Sequence, residues 1–130
     1  RHSMSVPQTL DGFDITAAVE RMLGEPALWW QAVGIFVGHF AGWVQAWEAC
    51  IGDDAKEQKI VHALRSAAAN VGAMGLAGHA ARLEENLLMR LAGKTEPVPE
   101  ALRRNLLDSF RRTWGAASDA CQSNRSELAQ

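Results

Sequence analysis

The chain has 130 residues, the length of one domain, and its 13 Lys and Arg against 15 Asp and Glu leave a formal net charge of −2. Hydrophobic residues make up 48% of the chain and charged residues 22%, which is the balance of a folded globular domain and not of a disordered segment. The near-neutral charge excludes a broad basic field for wrapping nucleic acid.

Membrane and disulfide classes are also disfavoured. The longest nearly uncharged stretch, residues 26–46, is interrupted by polar residues and glycines, so it predicts a buried helix and not a membrane span. Cys50 and Cys121 lie far apart and form no CxxC pair, which argues against a disulfide scaffold and a zinc knuckle and indicates a reducing, cytoplasmic compartment. Residues 1–3, which precede Met4, resemble a cloning-vector remnant, and His2 is therefore set aside.

Helix signals follow one another along the chain. Abundant Ala and Leu, and the lack of any sustained alternation of polar and apolar residues, favour helices over strands. Capping residues, Pro and Gly then predict five helices: Ile15 to about Leu23, Pro26 to about Ile51, Asp53 or Asp54 to about Ala73, Leu76 to Leu91, and Glu100 into the 110s.

The short connections between these helices predict the architecture. Short loops make neighbouring helices antiparallel, so the expected fold is an all-α, up-and-down four-helix bundle with a short additional N-terminal helix. Residues 1–12 are expected to form a tag-like or linker lead, residues 13–117 the bundle, and residues 118–130 a polar, frayed tail. Because bundles serve many unrelated functions, the function has to come from a site.

One histidine on the third predicted helix stands apart from the core. At 100° per residue, His62 lies about 150° from the centre of the apolar stripe and is expected to face solvent. That stripe consists of Ile60, Val61, Leu64, Ala67, Ala68 and Val71. By its wheel position alone, an ordinary exposed histidine without a chemical role is the simpler interpretation.

The face around His62 carries small or short side chains, which favours close approach by another protein. This expected docking face comprises Gln58, Ser66, Ala69 and Ala73. A neutral imidazole is a competent nucleophile, and the cations Lys59 and Arg65 would attract an incoming phosphoryl group. Ser66 would support the same phosphoryl site.

A motif on the third and fourth predicted helices resembles the signature of histidine-containing phosphotransfer domains, H-x-L-K/R-G/S-x-x-x-N-V/I-G-A with L-E closing the next helix. Residues 61–73 are VHALRSAAANVGA, Leu76 follows, and residues 80–84 are AARLE. The resemblance extends from Phe13-Asp14-Ile15 through Leu83-Glu84 and fades in the last helix. Arg65 stands where the family usually has lysine, and Ser66 where glycine is most frequent.

The resemblance implies a bundle that carries phosphate between response-regulator receiver domains, with His62 as the phosphorylated residue. The receiver would supply Mg²⁺ and an acidic pocket, and the chain itself is expected to hold neither a metal nor another cofactor. No Gly-rich nucleotide loop is present, so neither ATP binding nor self-phosphorylation is expected. We expect a cytoplasmic monomer without nucleic-acid or direct membrane contacts, and favour the C-terminal domain of a hybrid sensor kinase over a free-standing protein.

Three other polar residues and one glycine on these helices have structural interpretations. Asn70 and Gly72 are expected to form a structural turn, with the Asn70 side chain satisfying backbone groups there. His39 and His79 lack ligand spacing and are expected to be structural or merely exposed.

Two further surfaces suggest partners or alternative functions. Ile35 and Trp30 could offer an apolar docking surface to a receiver helix, although contacts within the chain explain them equally well. A binding module for a receiver or kinase that transfers no phosphate is the main alternative function. A small-molecule site on the tryptophan-rich second helix is a weaker one, since Trp29, Trp43, Trp47 and Trp114 fall on core stripes.

Overall fold

The computed structural model describes residues 5–129, and every regular element among them is a helix, which confirms the all-α class. In chain order the helices are α1 (Ile15–Arg21), α2 (Pro26–His39), α3 (Trp43–Glu48), α4 (Asp54–Asn70), α5 (Met74–Leu91) and α6 (Glu100–Ala129). In this part of the chain, no helix combines the length and apolar composition that crossing a bilayer requires. Residues 1–4, with the vector-like start and His2, lie outside the described residues.

Helix starts follow the capping signals. The Asp14 carboxylate accepts a hydrogen bond from the Ala17 N–H (3.3 Å) at the start of α1. Asp53 does the same for the Lys56 N–H (3.2 Å) at the start of α4, and Pro26 occupies the first turn of α2. These side chains satisfy N–H groups, or remove one, where a helix offers no internal partner.

The prediction of one helix from Pro26 to Ile51 is wrong, because the chain breaks between α2 and α3. Gly42, a poor helix former, stands before the first residue of α3. The break turns Trp43 into the core, where it stacks on Phe110 with ring centroids 5.2 Å apart and donates its indole N–H to the Ile60 carbonyl (3.2 Å). Tertiary packing of the tryptophan thus decides a boundary that helical periodicity does not reveal.

Helix α6 also differs from its prediction. It continues to Ala129 through the segment for which a polar, frayed tail was expected. Ala117 and Cys121 are buried, and they extend the apolar stripe of Leu106 and Phe110 beyond the predicted end. The lead is likewise packed: Val6 and Leu10 contact the core, and the Trp30 indole donates to the Ser5 carbonyl (3.0 Å).

The helices enclose one apolar core. Helix α4 packs on α5, α5 on α6, α6 on α2, and α2 on α4, while α1 lies on α2 and α3 on α4. Trp29 is fully buried and donates its indole N–H to the Val71 carbonyl (2.9 Å), which links α2 to the end of α4. The core positions predicted for Trp29, Trp43 and Trp47 are confirmed, whereas Trp114 is only partly buried.

The α4–α5 junction requires glycine at position 72, as the turn prediction indicates. Gly72 has φ +87°, and its carbonyl accepts the Asp14 N–H at 2.6 Å. A Cβ at this position would lie 2.6 Å from the Asp14 carbonyl oxygen and 2.9 Å from the Ala18 Cβ. The start of α1 is therefore pressed against this junction, which places α1 beside the end of α4.

A buried ion pair holds the opposite end of α4. Glu57 has no solvent exposure and accepts hydrogen bonds from Arg103 Nε (2.9 Å), Arg103 Nη2 (2.7 Å) and the Trp47 indole (2.9 Å). The hydrogen bond to Glu57 raises the pKa of the Arg103 guanidinium, so Arg103 stays charged. The bidentate pair ties α6 to the first turn of α4, and the Trp47 hydrogen bond ties α3 to the same turn.

Removing Arg103 should be costly because it leaves a carboxylate buried without its cation. We expect Arg103→Met to lower the free energy of unfolding by about 3 kcal/mol, measured by urea denaturation. The exposed neighbour provides the matched control, since Arg104→Met removes the same charge and should change stability by less than about 0.5 kcal/mol. Equal effects of the two substitutions would contradict a specific role for the buried pair.

Candidate functional site

The packing of α4 on α5 brings His62 against Glu84. The His62 side chain is 57% exposed, which confirms the wheel prediction, whereas the Glu84 side chain is only 3% exposed. Their atoms Nδ1 and Oε2 lie 2.7 Å apart. One side of the imidazole is therefore anchored to the protein, and the other faces solvent.

The Glu84 carboxylate accepts hydrogen bonds from three side chains of α4. Besides His62, Gln58 Nε2 lies 2.8 Å from Oε2, and Arg65 Nη1 lies 2.8 Å from Oε1. Burial raises the pKa of the Glu84 carboxyl, but the hydrogen bonds from Arg65, Gln58 and His62 outweigh it and leave this pKa below its ordinary value. Glu84 is consequently ionised at neutral pH.

The ionised carboxylate selects the tautomer of the imidazole. A carboxylate without a proton can only accept hydrogen bonds, so the hydrogen that joins His62 Nδ1 to Glu84 Oε2 belongs to Nδ1. In the neutral ring, Nε2 then carries the lone pair. The site presents a fixed imidazole whose outward nitrogen can act as a nucleophile.

The residues expected to support a phosphoryl group occupy different environments. Arg65 is half-exposed and donates Nη1 to Glu84, so one of its donors is committed within the protein. Lys59 and Ser66 are exposed on the same face of α4 as His62. Within residues 5–129 the Lys59 ammonium has neither a hydrogen bond nor an ion pair.

The residues of the expected docking face differ in their exposure. Gln58 and Ala69 lie at the surface but are half-buried, and the Ala69 carbonyl accepts a hydrogen bond from Arg21 Nη2 (2.9 Å). The assignment of Ala73 to this face is wrong, because Ala73 is fully buried just before α5. Helix α4 ends at Asn70, so the wheel does not extend to position 73.

The role predicted for the Asn70 side chain is also wrong. Asn70 is exposed, and within the described range its side chain makes no hydrogen bond. The backbone closes the turn by itself, with the Gly72 N–H donating to Ala69 (3.1 Å) and the Ala73 N–H to Ala68 (2.8 Å). The left-handed conformation of Gly72 makes these bonds possible.

An apolar groove of about 490 Å³ runs between α2 and α4 beside the His62 face. Its lining residues are Ala32, Ile35, Phe36, His39, Phe40, Ala63, Ser66, Ala67, Asn70 and Val71. Ile35 is 66% exposed, as expected of a residue that the core does not need. Trp30, proposed with it from the sequence, lines a different pocket with Ser5 and Asn124 and is not part of this groove.

The other two described histidines have other surroundings. His79 Nδ1 accepts a hydrogen bond from Arg82 Nη2 (2.9 Å), and burial, followed by the charges of Arg82 and Arg112, lowers the pKa of His79. His39 is exposed at the groove and packs edge-on against Phe40. Of the three, His62 is the histidine whose ring is held by a buried carboxylate.

The described chain contains no group of three or more His, Cys, Asp or Glu that could hold a metal ion.

Sequence reasoning missed the role of Glu84. The Leu83-Glu84 pair contributed to the motif, but no function was given to the carboxylate. A signal was available, because Glu84 follows Ala77 and Ala80 at helical spacing on a face of α5 that is buried. A charged residue on a buried helix face needs partners and marks a candidate site.

No family model, no curated protein and no solved structure matches the chain. What the site can do therefore rests on the geometry of its own residues.

The lowered pKa of Glu84 predicts a specific dependence of stability on pH. The stabilisation from ionised Glu84 should be complete above its unfolded pKa, near 4.5, and disappear as pH falls through the lower folded pKa. Wild type should therefore exceed Glu84→Gln in free energy of unfolding at neutral pH, and this difference should shrink in acid. Chemical denaturation at several pH values measures it, with exposed Glu85→Gln as the control, and a difference independent of pH would contradict the assignment.

Proposed function

We propose that this chain is a phosphorelay intermediate: His62 accepts a phosphoryl group from the aspartate of a response-regulator receiver and passes it to another receiver. The observation that carries the proposal is the exposed imidazole whose Nδ1 is held by the buried carboxylate of Glu84. The resemblance of the sequence to histidine-containing phosphotransfer domains also supports the proposal. We propose as well that α2, α4, α5 and α6 form an up-and-down four-helix bundle.

The proposed transfer needs little from the protein beyond position and charge. The lone pair of His62 Nε2 forms a bond to phosphorus while the bond from phosphorus to the aspartyl oxygen breaks, and the aspartate leaves as a carboxylate with that electron pair. Nδ1 keeps its proton, so the phosphorylated ring is cationic. The ionised Glu84 beside Nδ1 would stabilise that cation, and the reverse step delivers the phosphoryl group to the next aspartate.

The receiver completes the reacting site in this proposal. It would supply Mg²⁺ and an acidic pocket, while this chain supplies the imidazole and positive charge on α4. The chain would have neither ATP-binding nor autokinase activity of its own. We further propose a monomer on the cytoplasmic side of the membrane, as the C-terminal domain of a hybrid sensor kinase.

The groove between α2 and α4 supports docking of a receiver beside His62. Its walls are mostly apolar and include Phe36, Ala63 and Val71, and Ile35 stands exposed at its margin. An apolar helix of the partner could cover this surface while its aspartate reaches the imidazole. The contact would be modest in area, as a transient partner requires.

Phosphotransfer is tested with a panel of purified receiver domains that carry radiolabelled phosphate on aspartate. Wild type should take up a label that is lost in acid and stable in base, as expected of phosphohistidine. His62→Gln should abolish the label. His79→Gln is the matched control and should retain it, because the His79 ring lies outside the groove and contacts no buried carboxylate.

Two outcomes would refute the proposal. Labelling of His62→Gln at the wild-type rate would place the phosphate elsewhere. A chain that binds receivers but takes no label from any of them would favour the alternative, a non-catalytic binding module that uses the same groove.

Docking through the groove is tested at Ile35. Ile35→Glu should slow phosphotransfer from a receiver about tenfold, since it puts an unpaired charge where an apolar contact forms. The free energy of unfolding of Ile35→Glu should differ from that of wild type by less than about 0.5 kcal/mol, because the Ile35 side chain is already exposed. Leu128→Glu is the control, as Leu128 is 57% exposed near the end of α6 and outside the groove. Equal rates for the two variants would exclude the groove as the docking surface.

A further inference from the structure

The two cations that flank His62, Lys59 and Arg65, differ in their contacts within the protein. Arg65 Nη1 lies 2.8 Å from Glu84 Oε1, and the other oxygen of that carboxylate receives His62 (2.7 Å) and Gln58 (2.8 Å). Arg65 therefore fixes the rotation of the carboxylate, which in turn orients the imidazole. Much of its charge is balanced by the carboxylate that it contacts.

Lys59 is not engaged in this way. It lies one helical turn before His62, it is exposed, and its ammonium has no hydrogen bond or ion pair among residues 5–129. A flexible four-carbon stem lets an ammonium group reach an oxygen anion that arrives near the next turn of the helix. Its charge is therefore free to meet a ligand.

The two cations also lie on opposite sides of His62. Residues three before and three after a reference position fall about 60° to either side of it on a helix. Arg65 lies on the side of α5, as its contact with Glu84 requires. Lys59 lies on the other side, toward Ser66 and Asn70, which line the groove between α2 and α4.

From these observations we infer that Lys59 contacts the phosphoryl oxygens during transfer, and that Arg65 is a positioning residue that acts through Glu84. The inference rests on the proposed function. It divides the roles of the two cations that flank His62, because a partner seated in the groove would bring its phosphoryl group to the Lys59 side of the ring.

The positioning role is tested without any partner, by measuring the nitrogen chemical shifts of the His62 ring. Wild type should show a single neutral tautomer with the proton on Nδ1. Arg65→Gln should give a mixture of tautomers, and Arg65→Lys should restore the single tautomer because an ammonium can also donate to Glu84. Lys59→Gln should leave the tautomer unchanged.

The contact role is tested by the rate of transfer from phosphorylated receivers. Lys59→Gln should lower the transfer rate about tenfold, which is the loss expected for one charge-assisted hydrogen bond. The tautomer of the His62 ring should not change in this variant. Lys56→Gln is the matched control: it removes the same charge from an exposed position about 9 Å from His62 along the helix axis and should transfer normally.

The outcomes separate the two proposals. Normal transfer by Lys59→Gln, or an unaltered His62 tautomer in Arg65→Gln, would overturn this division of roles even if wild type is phosphorylated. Absence of label on wild-type His62 would refute the proposed function, and the Lys59 contact with it. The tautomer measurement would still decide whether Arg65 positions the ring.

Discussion

The buried carboxylate of Glu84 is the constraint on which the candidate site depends. Removing an ionised group from water is costly unless hydrogen bonds replace its hydration. Here all three replacements come from α4, through Gln58, His62 and Arg65. The requirement to satisfy one side chain of α5 thus sets the position of three side chains on its neighbour, and the orientation of the imidazole follows from it.

A second buried carboxylate, Glu57, shows how the same physics serves a different end. Its partners are Arg103 and Trp47, and the cluster joins the first turn of α4 to α3 and α6. No histidine takes part in this cluster. Glu57 therefore secures the packing of helices, whereas Glu84 shares its hydrogen bonds with an exposed ring.

The surface around His62 has two unlike sides. Toward α5 the side chains are polar and satisfied within the protein, so that side holds the ring in place. Toward α2 there is an apolar groove with exposed Ile35, and the free ammonium of Lys59 lies on the same side. In the proposed phosphotransfer, a rigid support on one side of the imidazole and an open approach on the other would suit delivery of the phosphoryl group by another protein.

Local patterns in the sequence were sufficient to predict the helical class, most helix starts and the exposure of His62. These properties depend on capping residues and on the 3.6-residue period, which act over a few neighbouring positions. The complete set of site residues and their contacts could not be predicted from these local patterns. The sequence pointed to His62, Lys59 and Arg65 on one helix, and the motif contained Glu84, but no local pattern showed that Glu84 contacts Arg65 and not Lys59.

Tertiary structure decided what depends on contacts between distant segments. The break before Trp43 follows from its packing on Phe110, the burial of Ala73 from the junction of α4 and α5, and the length of α6 from core contacts at Ala117 and Cys121. Glu84 lies 22 residues from His62 in sequence, and their contact exists only because α5 folds back along α4. Helical period determines which way a side chain faces, but only the packing of helices determines what it meets.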